Sequence, residues 1–220
     1  MIVPAEILDR DAVLAVRAAL AGAPFRDGRA TAGPAARAVK DNEQALGHHP
    51  DVAAAARRVR LALEANALVR GAVRPARWST LTFARYRPGR RYGAHTDDAV
   101  MFDETGRPVR TDVSFTLFLS GPDGYDGGAL RVEDPAGDRE FRPAAGTAVI
   151  YPTGALHGVT PVTRGERLVC VGWVQSLIRR ADRRELLFDL ERVRAAYAPD
   201  ARPLLLDKAI GNLIRMWGEE

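Results

Sequence analysis

The sequence has 220 residues, of which 46% are hydrophobic and 27% charged, with a formal net charge of +4. These proportions exclude a disordered chain and supply enough apolar material for a real core. One cysteine, Cys170, excludes an internal disulfide framework and any paired-cysteine zinc or redox site.

The N-terminus carries no basic stretch followed by an apolar run, so no secretory signal is read. The longest run without Asp, Glu, Lys or Arg is broken by Gly146, Pro152, Gly154, Gly158 and Pro161. Such a run is a poor membrane span. The expectation is a cytoplasmic protein without a membrane partner. The positive charge is almost all arginine, with Lys40 and Lys208 the only lysines, and it is interleaved with Asp and Glu. That mixture disfavours a nucleic-acid partner.

In chain order, Ile7, Leu8, Val13, Leu14 and Leu20 have helical spacing, and Gly22 marks a stop. Residues 35–46 read as a second helix. Asp51 is placed to cap a third, which carries Val59, Leu61, Leu63 and Leu68. From about residue 76 the chain becomes rich in Gly, Pro and short β-prone runs, at 77–86, 112–119, 129–132, 147–151 and 167–176. Turn clusters at 87–90, 120–128 and 134–138 separate them. Helices return at 182–197, with Leu186, Leu187, Leu190 and Val193 as an apolar stripe, and at 204–217. The pattern predicts an α+β chain whose mainly β core is a sandwich, jelly roll or barrel covered by helices. Residues 1–177 would form one unit, helical over 1–72 and β over 76–177, followed by a helical extension at 178–220.

The nucleophile-elbow, zinc-protease, P-loop and dinucleotide fingerprints are all missing. What remains is His95-x-Asp97 in the segment RYGAHTDDAV and His157 in YPTGALHGV. On a strand, residues i and i+2 share a face. Two histidines and one carboxylate form the three-ligand set that leaves adjacent positions open on a non-haem iron. Asp98 is the competing carboxylate, but at i+3 from His95 it should face the other way. His48 and His49 read as a helix end before Pro50.

Ten residues after His157, Arg167 opens the strand RLVCVGWVQS, apolar on both faces by alternation. A guanidinium on a strand covered on both sides needs an anionic partner, and its planar fork suits a carboxylate. Tyr86 and Tyr92 precede the His-x-Asp, and a hydroxyl there could share that carboxylate.

Together His95, Asp97, His157 and Arg167 resemble the Fe(II)- and 2-oxoglutarate-dependent dioxygenases. The run from Tyr86 through Gly89 and Tyr92 to His95 and Asp97 looks like the prolyl hydroxylase branch. VKDNEQAL at 39–46, RTDVSFTLFLS, YDGGAL and the Arg-rich tail resemble the bacterial PKHD-type hydroxylases (the YbiX/PiuC group) over nearly the whole chain. The resemblance implies a double-stranded β-helix (jelly-roll) core. It implies Fe(II) held by His95, Asp97 and His157, and 2-oxoglutarate held by Arg167, with Tyr86 beside it. Phe118 stands where some prolyl hydroxylases have a tyrosine, leaving Ser114 or Thr116 to supply a hydroxyl. The implied reaction consumes O2, converts 2-oxoglutarate to succinate and CO2, and hydroxylates a small-molecule or peptidyl substrate, with L-ascorbate as a reductant. A non-catalytic sensor module and a cupin-like metalloenzyme without 2-oxoglutarate remain alternatives, and Arg167 is what separates them. The segment 100–110 reads as a loop beside the metal, and the terminal helices as a cover or a homo-oligomer contact.

Overall fold

Alternation along the long strands builds the molecule. In Arg167–Ser176, the side chains of Leu168, Cys170 and Val174 point to one side, while Arg167, Val169 and Val171 point to the other. The same period of two runs through Val113–Phe118, with Val113, Phe115 and Leu117 outward and Ser114, Thr116 and Phe118 inward. The computed structural model describes residues 1–134 and 136–218, Ala35 by its backbone alone. Pro135, inside the turn expected at 134–138, and Glu219 and Glu220, at the end of the expected extension, lie outside the described residues.

An eight-stranded antiparallel sheet runs Val3–Glu6, Thr147–Pro152, Val113–Phe118, Arg167–Ser176, Thr82–Tyr86, Glu43–Ala45 and Phe25–Asp27, with Pro75–Trp78 also paired to Arg167–Ser176. A five-stranded sheet faces it, in the order Arg139–Phe141, Leu130–Val132, His157–Val159, Arg91–His95 and Lys40–Asp41. Between them lie Ala84, Tyr86, Phe118, Leu130, Val149, Tyr151, Val159 and Val169. This is the expected jelly roll. The outer face of the large sheet is covered by helices Arg10–Ala21, Pro50–Ala65 and Ala67–Val73, through Val13, Val16, Leu20, Val52, Val59, Leu63, Val69 and Val73. Helices Ala181–Ala195 and Leu204–Trp217 share a separate cluster around Ile178, Leu187 and Ile210. No helix among the described residues is long and apolar enough to cross a membrane.

Several local expectations are corrected. Residues 35–46 are not one helix. A short helix, Pro34–Val39, gives way to the strands Lys40–Asp41 and Glu43–Ala45. There Lys40, Asn42 and Gln44 alternate inward, while Asp41 and Glu43 pair outward with Arg90 and Arg85 at 2.8 and 2.7 Å. A strand with a polar inner face defeats a search for hydrophobic period. Asp51 is not the cap of the third helix, because Pro50 starts it with His49 at the N-cap; Asp51 sits in the first turn, favourable to the helix dipole. Asn66 ends that helix and caps the next, so Leu68 belongs to Ala67–Val73. Residues 77–86 divide into two strands, Pro75–Trp78 and Thr82–Tyr86. Segment 100–110 is a hairpin, Val100–Phe102 with Pro108–Arg110, rather than a loop. In Ala181–Ala195 only part of the apolar stripe is covered: Leu187 is buried and Leu190 packs on it, but Leu186 and Val193 are exposed.

Candidate active site

The two histidines arrive from paired strands. His95 ends Arg91–His95, His157 begins His157–Val159, and the two are directly opposite in register. Asp97 lies two residues past the strand rather than within it. One ligand atom from each of His95, Asp97 and His157 lies within 4.8 Å of the others. His95 Nε2 is 3.8 Å from Asp97 Oδ1, and His157 Nε2 is 3.5 Å from Asp97 Oδ2.

The ring orientations are set from behind. His95 Nδ1 is 2.9 Å from the Gly93 carbonyl, and His157 Nδ1 is 3.0 Å from the Ala155 carbonyl. A carbonyl only accepts, so both Nδ1 atoms donate, and each Nε2 is turned toward Asp97. Burial opposes it, but the Asp97 carboxylate raises His157 above its ordinary value, so without a metal its Nε2 holds a proton for Asp97; in the neutral form each Nε2 offers a lone pair. Ser114 Oγ donates to Asp97 Oδ2 at 2.8 Å. Burial alone would push the Asp97 carboxyl up; the His157 imidazole and Ser114 together hold it below the ordinary range. Burial, with His157 adding to it, lowers His95 to about 4. Two neutral-capable imidazoles and an ionised carboxylate, each held from its far side, are a donor set that fits Fe(II).

Arg167 lies in the same cavity. It is 1% exposed, and its guanidinium carbon is 5.0 Å from the ring centres of both Tyr86 and Phe118. Its Nε and Nη2 are buried and have no hydrogen-bond partner among the described residues. Tyrosines 86, 125 and 151, rather than any carboxylate, are what favour its charge. A buried cation with orphaned donors calls for an anion from outside the chain. Gly128 makes room for it: φ there is +61°, and a Cβ would sit 3.1 Å from Arg167 Cδ.

Tyr86 is the register partner of Arg167, and its hydroxyl accepts from Asn42 Nδ2 at 2.8 Å. Of the two hydroxyls weighed against Phe118, Ser114 is committed to Asp97 and Thr153. Thr116 lines the cavity beside Tyr151. Asp98 does not turn away as expected. It is exposed at the cavity mouth, near Gly33, outside the three-ligand group. A bulge between His157 and Val159 and their partners brings Tyr92 to the same side as His95, and the two rings stack with centroids 3.6 Å apart. His48 and His49 lie outside the cavity. Lys40, Asn42, Gln44 and Tyr151 are cavity residues that the sequence reading missed. Only the K-x-N-x-Q alternation carried a signal for the first three.

Residues 81–175 match the 2-oxoglutarate–Fe(II) oxygenase superfamily. Over 97% of both chains the protein is 44% identical to a PKHD-type hydroxylase of Picosynechococcus sp., and over 89% of both it is 51% identical to one of Maricaulis maris. Among solved structures, a prolyl-4-hydroxylase of Pseudomonas putida aligns with a TM-score of 0.53 at 26% identity, covering 80% of this chain and 92% of that one. A prolyl hydroxylase of Trichoplax adhaerens, solved with a hypoxia inducible factor peptide fragment, aligns with a TM-score of 0.60 at 12% identity, over 79% and 83% of the chains, and shares the fold. Fold, cavity and relatives define an Fe(II)- and 2-oxoglutarate-dependent dioxygenase, which sets aside the sensor and cupin-like alternatives. Within that class, the chain belongs to the PKHD-type hydroxylases.

Proposed function

We propose that His95, Asp97 and His157 hold the iron, that Arg167 anchors the distal carboxylate of 2-oxoglutarate, and that a peptidyl residue is hydroxylated at the cavity mouth. The observation that carries this reading is the orphaned Arg167 guanidinium, buried in the cavity that also holds the three ligands. When bound, the iron supplies the oxygen chemistry that couples decarboxylation of the cosubstrate to hydroxylation of a C–H bond.

The chain's own residues do the positioning. The Gly93 and Ala155 carbonyls fix both imidazoles, and Ser114 orients the Asp97 carboxylate. Arg167 presents its fork to a carboxylate, while the Tyr86 and Phe118 rings keep water from its faces. Tyr86, steadied by Asn42, adds a hydroxyl beside the same carboxylate. The peptidyl reading is supported by the likeness to prolyl hydroxylases, one of them solved with a peptide. L-ascorbate would re-reduce the iron, as the resemblance to prolyl hydroxylases implies. We place the protein in the cytoplasm, with residues 1–177 as the oxygenase unit and 178–220 as a helical extension available for a homo-oligomer contact.

The test is anaerobic. Fe(II) and then 2-oxoglutarate are added to metal-free protein, and the visible charge-transfer band of the chelate is followed. The band should form in the wild type, need far more 2-oxoglutarate in Arg167→Ala, and be lost with the iron in Asp97→Ala. Iron bound without a band would refute the cosubstrate assignment.

A further inference from the structure

Two buried cations line the cavity, and 2-oxoglutarate accounts for one of them. The other is Lys40, which is 6% exposed. An ammonium has three protons to donate. Among the described residues, its hydrogen-bond partner is the Thr31 hydroxyl, 3.2 Å away, and it makes no ion pair. Burial lowers Lys40 to about 8, with Asp97, Asp27 and Asp98 opposing that from longer range, so it is still cationic at neutral pH.

Its placement is tied to the metal ligands. Lys40 is the register partner of Tyr92, its Nζ lies 5.4 Å from the centre of that ring, and the ring is stacked on His95. Asn42 and Gln44 continue the same buried face, the first bonded to Tyr86 and the second to Thr31. A core of this kind normally fills such positions with apolar side chains, because burying polar groups costs stability. The charges point the same way. Asp97 and one carboxylate of the cosubstrate offset the two charges of Fe(II), and the other carboxylate offsets Arg167. That leaves Lys40 and, at the exposed mouth, Asp98, and no ion pair joins the two, so the Lys40 ammonium is free to meet an incoming carboxylate.

We propose that Lys40 selects the substrate, pairing its ammonium with the side-chain carboxylate of an aspartate or glutamate in the peptide that is hydroxylated. This rests on the assignment of Arg167 to 2-oxoglutarate and on a peptidyl substrate. The Asn42–Gln44 wall supplies neutral hydrogen-bonding groups for the adjoining peptide backbone.

The experiment uses the full chain, immobilised and loaded under argon with Fe(II) and 2-oxoglutarate, the charge-transfer band confirming the load. Two pools of N-acetylated, C-amidated hexapeptides are applied, with one fixed glutamate in one pool and one fixed glutamine in the other, and the remaining positions randomised over all residues except aspartate and glutamate. The wild type should retain the glutamate pool about tenfold over the glutamine pool, the scale of one desolvated charge pair. Lys40→Met, which keeps the stem and removes the charge, should bring that ratio to about one, and Lys40→Arg should restore most of it. The 2-oxoglutarate concentration giving half of the band is read in every variant. Equal retention of the two pools by the wild type would overturn the proposal, and that comparison needs no variant to fold. A preference that survives in Lys40→Met would overturn it as well. So would a large rise in the 2-oxoglutarate midpoint of Lys40→Met, which would give the ammonium to the cosubstrate. If the wild type forms no band, the Arg167 assignment fails first and this proposal falls with it.

Discussion

Replacing Arg167 with methionine should leave the unliganded protein nearly as stable while removing its response to 2-oxoglutarate. In the unliganded cavity the guanidinium has two buried nitrogens without partners. Each such donor costs about 1–3 kcal/mol. The rings of Tyr86 and Phe118, each 5.0 Å away, offset this by about 0.5–2 kcal/mol apiece. These contributions nearly cancel, and methionine keeps the apolar stem. The unliganded Tm should therefore move by no more than about 4–8 °C, equivalent to about 2 kcal/mol in a domain of this size. The liganded protein behaves differently. Truncating one partner of a buried, hydrogen-bonded charge pair costs about 2–5 kcal/mol, or roughly 30- to 5,000-fold in affinity. Wild type at a hundred times its dissociation constant gains about 2.7 kcal/mol of stability, and the variant at the same concentration less than about 1 kcal/mol. Anaerobic scanning calorimetry with Fe(II), with and without 2-oxoglutarate, measures both effects. An unliganded Tm lowered by well over about 10 °C would mean that the fold already pairs Arg167. An undiminished 2-oxoglutarate increment would mean that the distal carboxylate binds elsewhere.

Asp97→Ala should weaken Fe(II) binding by at least about a hundredfold in an anaerobic metal competition titration, because it removes the one charged ligand. Tyr86→Phe strips the acceptor from Asn42 and should lower stability by about 1–3 kcal/mol in urea unfolding, with a rise in the 2-oxoglutarate midpoint. Gly128→Ala forces a left-handed residue to carry a Cβ against Arg167, so it should cost about 1–2 kcal/mol and weaken 2-oxoglutarate more than iron. Cys170 is fully buried and burial pushes its thiol well up, so iodoacetamide should leave it unmodified in the native protein at pH 8 and alkylate it only after unfolding.

How much of this was legible in the sequence depended on whether a residue's surroundings follow a period. The strand Arg167–Ser176 alternates between two apolar faces, and its central, doubly covered position followed directly. His95, Asp97 and His157 were visible as residue types at a spacing, because ligands are few in kind. Segment 35–46 was not legible, because its inner face is Lys40, Asn42 and Gln44, and a polar inner face looks like a solvated one until the cavity is known. The hairpin at 100–110 has strands of three residues each, too short for a period to register. The contact between Tyr92 and His95 depends on a bulge in the pairing, which alternation alone places wrongly.

The pairing of His95 with His157 ties metal retention to the small sheet. These residues sit opposite one another on strands of five and three residues, whereas the strand bearing Arg167 runs for ten. Short ladders open more readily than long ones, and an opening between these two strands separates two of the three ligands. The residence time of the metal is then capped by how often that ladder parts, whatever the strength of the individual bonds. Iron should in turn slow amide exchange along His157–Val159 and Arg91–His95 more than along Arg167–Ser176, so that the metal acts as a staple for the weaker half of the roll.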